Sequence, residues 1–359
     1  MQSSISLPQQ TRNKPWLSLL TVALLAALAW WVTQNVYRLT LPFGIPGKAL
    51  EYPLWGVLAG LVGNALFSLL GGKAQVKAGL RTELFLKVGL VLLGAGINLK
   101  LIATAASGAI LQTLILVSCV FFFGWWVGGK LGLEDKLRAV LATALAVCGV
   151  SAAIAAAGAV SAKKEQVSYT TTLVILVALP MMVITPLLAQ QMHLSQAVAG
   201  AWFGGNIDTT AAVIGAGTLF GEGAQKIASI VKATQNTLIG VVAFLLALYF
   251  AAKDPQQGSK PGLRVIWERF PKFVIGFVLA SILYSLGWID GGKGSAIDAL
   301  KNWAFLLAFV SMGLELSVRE FRAMGWRPVA MFLIVTVFNA LLALGVSWAI
   351  FGWLLPVGL

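Results

Sequence analysis

Polar side chains interrupt a long apolar segment in the middle of the chain. Residues 204–210 read GGNIDTT within an otherwise apolar run of membrane length. The glycines let the backbone unwind there, and a broken helix exposes free N–H groups at the positive end of its second half. Such an end is an anion site made from the backbone alone. We therefore predict that Gly205, Asn206, Thr209 and Thr210 bind a small anion.

Asp208 lies in the same segment and is harder to interpret, because a carboxylate repels an anion. It could bind H⁺ or Na⁺ as a coupling ion. It could equally be the N-cap of the second half-helix. Both interpretations stay open from the sequence, and ion coupling is the working prediction for Asp208.

A second segment, residues 148–153 (CGVSAA), has a similar character. Ser151 could cap a half-helix and donate to a substrate oxygen, whereas Cys148 is more typical of a small buried residue than of a reactive thiol. The alternative for the whole segment is a packing face of small residues. We predict that Cys148, Gly149 and Ser151 line the substrate site together with residues 204–210.

Three further polar residues open the next apolar span: Lys232, Gln235 and Asn236. Lys232 is the best candidate cation for an anionic substrate. It could instead extend along the helix to the headgroups, as lysines near membrane surfaces do. All three residues are predicted to contact substrate.

Two short self-matches indicate an internal repeat. Residues 96–99 (GINL) resemble 313–316 (GLEL), and residues 151–158 more weakly resemble 210–217. The span order makes the copies run in opposite directions. Inverted repeats with paired interrupted helices are typical of secondary transporters, because two similar halves of opposite direction can exchange inward-open and outward-open roles.

Asn98 and Glu315 mark equivalent positions in the first of these matches. Glu315 could carry a proton. It could also form an interfacial ion pair with Arg319, which is the simpler interpretation. Both Asn98 and Glu315 are included as ion-coupling candidates.

Composition places the chain in a membrane. Hydrophobic residues make up 58% of its 359 residues and charged residues 11%, with a mean hydropathy of +0.86. Soluble domains carry about 25% charged residues, so a soluble enzyme and a disordered chain are both disfavoured. The net charge of +13 comes from basic residues in short connections between apolar runs. That pattern indicates a positive-inside membrane protein with a cytoplasmic N-terminus, rather than a nucleic-acid-binding protein.

The apolar runs predict an all-α polytopic fold of about nine to eleven transmembrane helices, since they are too long and too evenly apolar for barrel strands. Segments 138–161 and 195–217 either cross fully or re-enter from opposite faces. The other candidate spans are 16–34, 52–71, 84–106, 109–129, 168–192, 235–252, 271–289, 300–317 and 327–350.

The predicted organisation has four parts. A cytoplasmic tail covers 1–15, a first membrane half covers 16–252 and contains both interrupted segments, a cytoplasmic loop covers 253–270, and a second membrane part covers 271–359. The last part would repeat 84–129.

Metal, nucleotide and enzyme chemistry lack positive signs in the sequence. His193 is the single histidine and lies near a span end, so a histidine-based metal site or catalytic triad is disfavoured. The two cysteines have no metal-site spacing. The chain has no phosphate-binding P-loop, which argues against ATP-driven transport. We therefore expect no enzyme activity, no bound metal and no cofactor beyond a coupling H⁺ or Na⁺.

The order of several motifs resembles a known family. Residues 88–99, 148–153 and 204–217, followed by Lys232, are similar to the YeiH-type family of bacterial inner-membrane proteins, which carries the label of sulfate exporters. The resemblance covers roughly residues 50–350. It implies a core of crossing, interrupted helices with alternating access, as in cation/proton antiporters and in bile-acid-type and citrate-type carriers.

Two positions depart from that family pattern. Many members carry a His-Glu pair where this chain has Asp208-Thr209, and an arginine near the position of Gln235. Neither the substrate nor proton coupling through that pair is therefore carried over.

The sequence favours a secondary active transporter of a small anion, sulfate-like or organic, in the bacterial inner membrane. A cation/proton antiporter in which Asp208 binds the cation is the second hypothesis. A non-transporting membrane receptor or assembly subunit is the third, and it predicts no interrupted helix at 204–212. The expected partners are the anion and the lipid bilayer, and a homodimer stays open.

Overall fold

The computed structural model describes residues 15–37, 52–69, 80–253, 267, 270–289, 291–315 and 325–358, and within these ranges every regular element is helical. The helices are α1 Pro15–Val36, α2 Tyr52–Leu69, α3 Thr82–Gly94, α4 Leu99–Lys130, α5 Asp135–Thr143, α6 Gly149–Val160, α7 Lys164–Gln191, α8 Gln196–Asn206, α9 Thr210–Phe220, α10 Glu222–Thr237, α11 Ile239–Lys253, α12 Phe273–Ser285, α13 Gly291–Glu315 and α14 Trp326–Ser347. A π-helical turn joins α5 to α6 at Ala144–Cys148, and another extends α14 through Trp348–Leu354.

The all-α polytopic membrane fold is confirmed. Among the described residues, eight helical segments are long and apolar enough to span a bilayer, and two shorter helices, α9 and α12, are also apolar. One of the eight, Asp135–Val160, folds back on itself, as described below. Many of their large apolar side chains are exposed, for example Leu24, Phe122 and Leu341. Such a surface is solvated by lipid rather than by water.

The chain divides into two compact units. One comprises residues 1–85 and 306–315, and the other residues 86–305 and 316–359. In the first unit, α2 packs against the end of α13, where a Cβ on Gly60 would lie 2.2 Å from the Val310 oxygen. Every residue described below as part of the candidate site belongs to the second unit.

The boundary predicted between spans 84–106 and 109–129 is wrong. Helix α3 ends at Gly94, and α4 then runs without interruption from Leu99 through Gly108 to Lys130. The side chain of Asn98 accepts from the Lys100 N–H and so starts α4. Gly108 does not break α4. It instead makes room for the side chains of Ile350 and Phe351, each of which would lie 3.1 Å from a Cβ at this position.

Helices α5 and α6 form a re-entrant hairpin, called hairpin 1 (Asp135–Val160). Lys136 Nζ donates to the Ser161 oxygen at 3.3 Å, although the two residues are 25 positions apart. A straight helix would separate them by about 37 Å. Gln166 Nε2 likewise reaches back to Glu134 Oε2 at 2.9 Å. The chain therefore enters, turns near residue 148 and leaves on the same side.

Helices α8 and α9 form a second re-entrant hairpin, called hairpin 2 (Gln196–Phe220). Gln196 Oε1 accepts from the Ala224 N–H at 3.2 Å across 28 positions, a separation of about 42 Å in a straight helix. The close approach of Gly200 to the Ala224 backbone confirms that both ends of the hairpin lie together.

The two hairpins enter from opposite faces. Helix α7 begins just after hairpin 1, ends just before hairpin 2 and has 28 residues, or about 42 Å of length. Their second limbs, α6 and α9, are the segments that contain the weaker sequence match, 151–158 and 210–217. This arrangement resolves the alternative left open by the sequence, since 138–161 and 195–217 both re-enter.

The α10–α11 segment and the helix pair α4 and α14 pack around the hairpins. The α10–α11 segment starts beside the base of hairpin 2, and its last residue, Lys253, bonds Asp135 at the base of hairpin 1. Helix α14 runs antiparallel to α4, with Met331 near Gly128 and Ser347 bonded to Gln112. The hairpin turns therefore lie between long helices that connect the two faces.

Candidate functional site

The turn of hairpin 1, called tip 1 (Val147–Gly149), owes its shape to a glycine. Cys148 has φ −149° and ψ 61°, outside the helical and extended regions, and Gly149 follows at φ +34°, where residues with a side chain are disfavoured. A Cβ on Gly149 would also lie 2.5 Å from Val174 Cγ1. Helix α6 then begins directly from the tip, with its first N–H groups at the turn.

The turn of hairpin 2, called tip 2 (Asn206–Thr209), ends α8 and starts α9. Ile207 is extended at φ −80° and ψ 128°. The N-cap of α9 is Thr209, whose hydroxyl accepts from the Ala212 N–H at 3.2 Å. Asp208 is therefore not the cap, and the capping interpretation of its carboxylate is wrong.

The two tips touch each other. A Cβ on Gly149 would lie 3.2 Å from the backbone oxygen of Asp208. Cys148 Sγ lies 3.4 Å from Thr210 Oγ1, which also accepts from Asn236 Nδ2 at 3.3 Å. The amide ends of α6 and α9 therefore meet at one place, lined by a thiol, a hydroxyl and an amide.

Lys232 joins the carbonyl ends of both tips. Its Nζ donates to the Val147 oxygen at 2.8 Å, the Ile207 oxygen at 2.9 Å and Gln235 Oε1 at 2.7 Å. An ammonium group has three donors, so all three are used. Only 1% of Lys232 is exposed, and it follows Glu222 by ten residues, about 15 Å along α10. The alternative in which Lys232 reaches the headgroups is wrong.

Gln235 completes this arrangement by donating from Nε2 to the Ala146 oxygen at 3.0 Å. The final carbonyls of a helix have no partner within the helix and carry its negative end. Lys232 and Gln235 satisfy them, which explains why a charged side chain is stable this deep in the protein.

Asp208 is the other ionisable residue at the tips. Only 5% of it is exposed, and it interacts electrostatically with Lys232. No side chain or backbone group in the described part of the chain donates a hydrogen bond to its carboxylate. The carboxylate therefore retains its acceptor capacity.

The carbonyl end of α8 also meets α4 and α14, through residues that the sequence analysis did not select. Asn339 Nδ2 donates to the Asn206 oxygen at 3.2 Å. Gln112 Nε2 donates to the Ala201 oxygen at 2.7 Å, and its Oε1 accepts from Ser347. Asn339, Gln112 and Ser347 are polar residues within long apolar helices. That polarity was the one feature of the sequence that could have identified them.

The remaining predicted residues occupy different environments. Gly205 lies against Gln112 and Leu116 of α4, and Ser151 lies in the first turn of α6 without capping it. Asn98 is exposed at the start of α4, and in the first unit Glu315 accepts from Thr82 Oγ1 at 2.5 Å. Leu316 and Arg319 lie outside the described residues. The functional roles of all the predicted site residues stay predictions.

These features define the class: an all-α membrane protein in which two re-entrant hairpins from opposite faces meet tip to tip. Comparison with known proteins then identifies the family. The family model described as "Conserved hypothetical protein 698" matches residues 17–332. The chain belongs to this family, whose curated relatives are named UPF0324 membrane proteins. This finding confirms the family resemblance read from the sequence.

Three relatives illustrate the similarity. A UPF0324 membrane protein of Rhodopirellula baltica is 36% identical over 348 residues, which cover 92% of this chain and 62% of the relative. One of Nitratidesulfovibrio vulgaris is 36% identical, with 84% and 56% covered, and another from that organism is 31% identical, with 75% and 76% covered. The chain thus spans about three fifths of the first two. No solved structure matches.

Proposed function

We propose that the protein is a secondary active transporter that moves a small anion, sulfate-like or organic, together with a coupling H⁺ or Na⁺. The observation that carries the proposal is that the turns of hairpins 1 and 2 meet beside the buried Lys232, about 15 Å along α10 from Glu222. Discontinuous helices at the membrane midplane form the substrate and ion sites of secondary transporters.

The anion would bind where the amide ends of α6 and α9 meet. Both ends carry partial positive charge, and unpaired N–H groups at a helix start are anion donors. Thr210 and Asn236 offer further polar atoms beside Cys148 and Gly149. Lys232 would act on the anion at a distance, through its field, because its three donors are already occupied.

Charge balance supports cation coupling. Asp208 and Lys232 are the ionisable side chains at the tips, and an anion that entered alone would add a negative charge in a low-dielectric environment. Uncompensated buried charge is strongly unfavourable. A proton on Asp208, or a Na⁺ nearby, would restore neutrality, so anion and cation would bind together.

A cation/proton antiporter is the second candidate, favoured by the acceptor capacity of the Asp208 carboxylate. In that case flux would depend on pH and on the cation but not on the anion species. The third hypothesis, a non-transporting receptor or assembly subunit, predicted an unbroken helix at 204–212. The break at Ile207–Thr209 is the opposite of that expectation.

The charge distribution supports an orientation in which the base of hairpin 1 faces the cytoplasm of a bacterial cell, across its inner membrane. Glu222, Lys226 and His193 lie at the base of hairpin 2. The basic side chains near the base of hairpin 1 are Lys130, Lys136, Arg138, Lys163, Lys164, Lys253 and Arg327.

Flux into liposomes tests the proposal. The purified full chain would be reconstituted, and uptake of radiolabelled sulfate and of small organic anions would be measured with and without inward H⁺ and Na⁺ gradients. We expect gradient-driven uptake of at least one anion. Asp208→Asn should weaken the dependence on the gradient, because the titratable and cation-attracting group is gone.

Glu222→Gln is the matched control, since Glu222 is an exposed carboxylate paired with Lys226 at the base of hairpin 2. It should transport as the unmodified protein does. Cation flux that is independent of every anion would replace the proposal with the antiporter. Absence of any flux would remove the transport function.

A further inference from the structure

Several buried polar atoms beside tip 2 have no hydrogen-bond partner. They are both side-chain ends of Asn206, the amide oxygen of Asn339 and the hydroxyl of Thr336. The three residues are 2%, 2% and 8% exposed. Leaving such groups unsatisfied costs about 1–3 kcal/mol each, so a cluster of them indicates a missing ligand.

The three residues lie together. Asn339 Nδ2 donates to the backbone oxygen of Asn206 at 3.2 Å, which fixes α14 against the end of α8. Thr336 precedes Asn339 by three residues and so lies on the same face of α14, one turn earlier. Because the Asn339 amide nitrogen is used, its oxygen is the atom left to bind something else.

The chemistry of the cluster selects a cation. It offers three oxygens, from two amides and one hydroxyl, and one amide donor, Asn206 Nδ2, at the carbonyl end of α8, where the helix dipole is negative. Neutral side-chain oxygens and half-helix carbonyl ends are the ligands that hold Na⁺ in transporters. Divalent ions draw more heavily on carboxylates, and only Asp208 lies within tip 2.

We propose that Asn206, Thr336 and Asn339 form a Na⁺ site at the carbonyl end of α8, separate from the anion site at the amide ends of α6 and α9. This inference deepens the proposed transport function, on which it rests, by naming the coupling cation and its ligands. It also gives Asn206 a role in binding the cation rather than the anion.

The geometry gives a reason for coupling. Tip 2 joins the carbonyl end of α8 to the amide end of α9. Na⁺ would bind at the carbonyl end, near Asn206, and the anion at the amide end, near Thr209. Ordering the tip by one ion lowers the entropic cost of binding the other, which is positive cooperativity. The cation also offsets the charge of the anion.

Thermal unfolding of the purified, detergent-solubilised full chain tests the site. NaCl would be titrated against choline chloride at constant ionic strength, with KCl as a parallel series. Binding to the folded state raises the unfolding temperature with ligand concentration. We expect a saturable rise that is specific to Na⁺.

Substitutions at Thr336 separate binding from packing. Thr336→Val should weaken the Na⁺ response at least tenfold while leaving the Na⁺-free protein as stable or more so, because the hydroxyl has no partner to lose. Thr336→Ser should keep the response. Thr185→Val is the matched control, since this buried threonine bonds the Met181 oxygen of its own helix.

Two results would overturn the site: equal effects of Na⁺, K⁺ and choline, or an unchanged Na⁺ response in Thr336→Val, which would leave bound water as the partner of these atoms. The flux assay is independent. Anion transport without a Na⁺ effect would reject the Na⁺ site alone, and Na⁺ binding without anion transport would reject the proposed transport function alone.

Discussion

At the scale of single residues, Lys232 determines how this site is held together. Its ammonium bonds carbonyls from two separate hairpins, and in an apolar environment those bonds have no competing water. A residue selected from the sequence as a substrate ligand is thus first of all a structural cation.

Removal of this cation should be costly. We expect Lys232→Met to lower the free energy of unfolding by about 1–3 kcal/mol for each of the three oxygens that would lose its donor. Unfolding monitored by fluorescence in detergent would measure it. The double variant Lys232→Met with Asp208→Asn should recover part of the loss, because no uncompensated carboxylate remains.

Lys226→Met is the comparison for this prediction, since the Lys226–Glu222 pair has an exposed carboxylate and contributes at most about 1 kcal/mol. A loss in Lys232→Met no larger than that in Lys226→Met would show that the contacts between the tips do not depend on the ammonium.

At the scale of helices, the sequence predicted both interruptions but only part of their environment. Glycine next to polar residues at 148–151 and 204–210 located the breaks, since this combination is rare inside a lipid-facing helix. The partners Gln112 and Asn339 were missed because a single polar residue in an apolar helix carries no spacing signal. Which carbonyl a buried side chain reaches depends on tertiary packing, and a single sequence does not encode that locally.

The positive φ of Gly149 at tip 1 predicts that a side chain at this position destabilises the protein. Gly149→Ala would place a Cβ at φ +34° and 2.5 Å from Val174 Cγ1. We expect a loss of at least about 1–3 kcal/mol from the backbone conformation alone. It should appear as a lower unfolding temperature and as lower flux.

Gly345→Ala controls for the glycine substitution itself, because nothing lies within 4 Å of a Cβ at that position of α14. This change should be neutral or stabilising by about 0.5–1 kcal/mol, as alanine favours a helix. Equal behaviour of the two variants would mean that tip 1 can relax without its glycine.

At the scale of the whole molecule, the re-entrant hairpins decide which loops share a face of the membrane. A chain in which 138–161 crossed fully would place Lys163 on the opposite side from Lys136. In the structure, the bond from Lys136 to the Ser161 oxygen places both ends of hairpin 1 on one side, and α7 then carries the chain to the other. The small charge signal of the loop at 163–165 could not separate these topologies.

Cysteine labelling distinguishes them. In a background with Cys119→Ser and Cys148→Ala, single cysteines at Lys136, Lys163 and His193 would be treated with a membrane-impermeant maleimide, in right-side-out and in inverted vesicles. We expect Lys136→Cys and Lys163→Cys to react from the same side, and His193→Cys from the opposite side. The side shared by the first two should be the cytoplasmic one, because basic residues concentrate there.

Reaction of Lys136→Cys and Lys163→Cys from opposite sides would mean that hairpin 1 crosses the bilayer. The tips would then no longer be approached from two faces, and the neighbouring anion and cation sites would lose their structural basis.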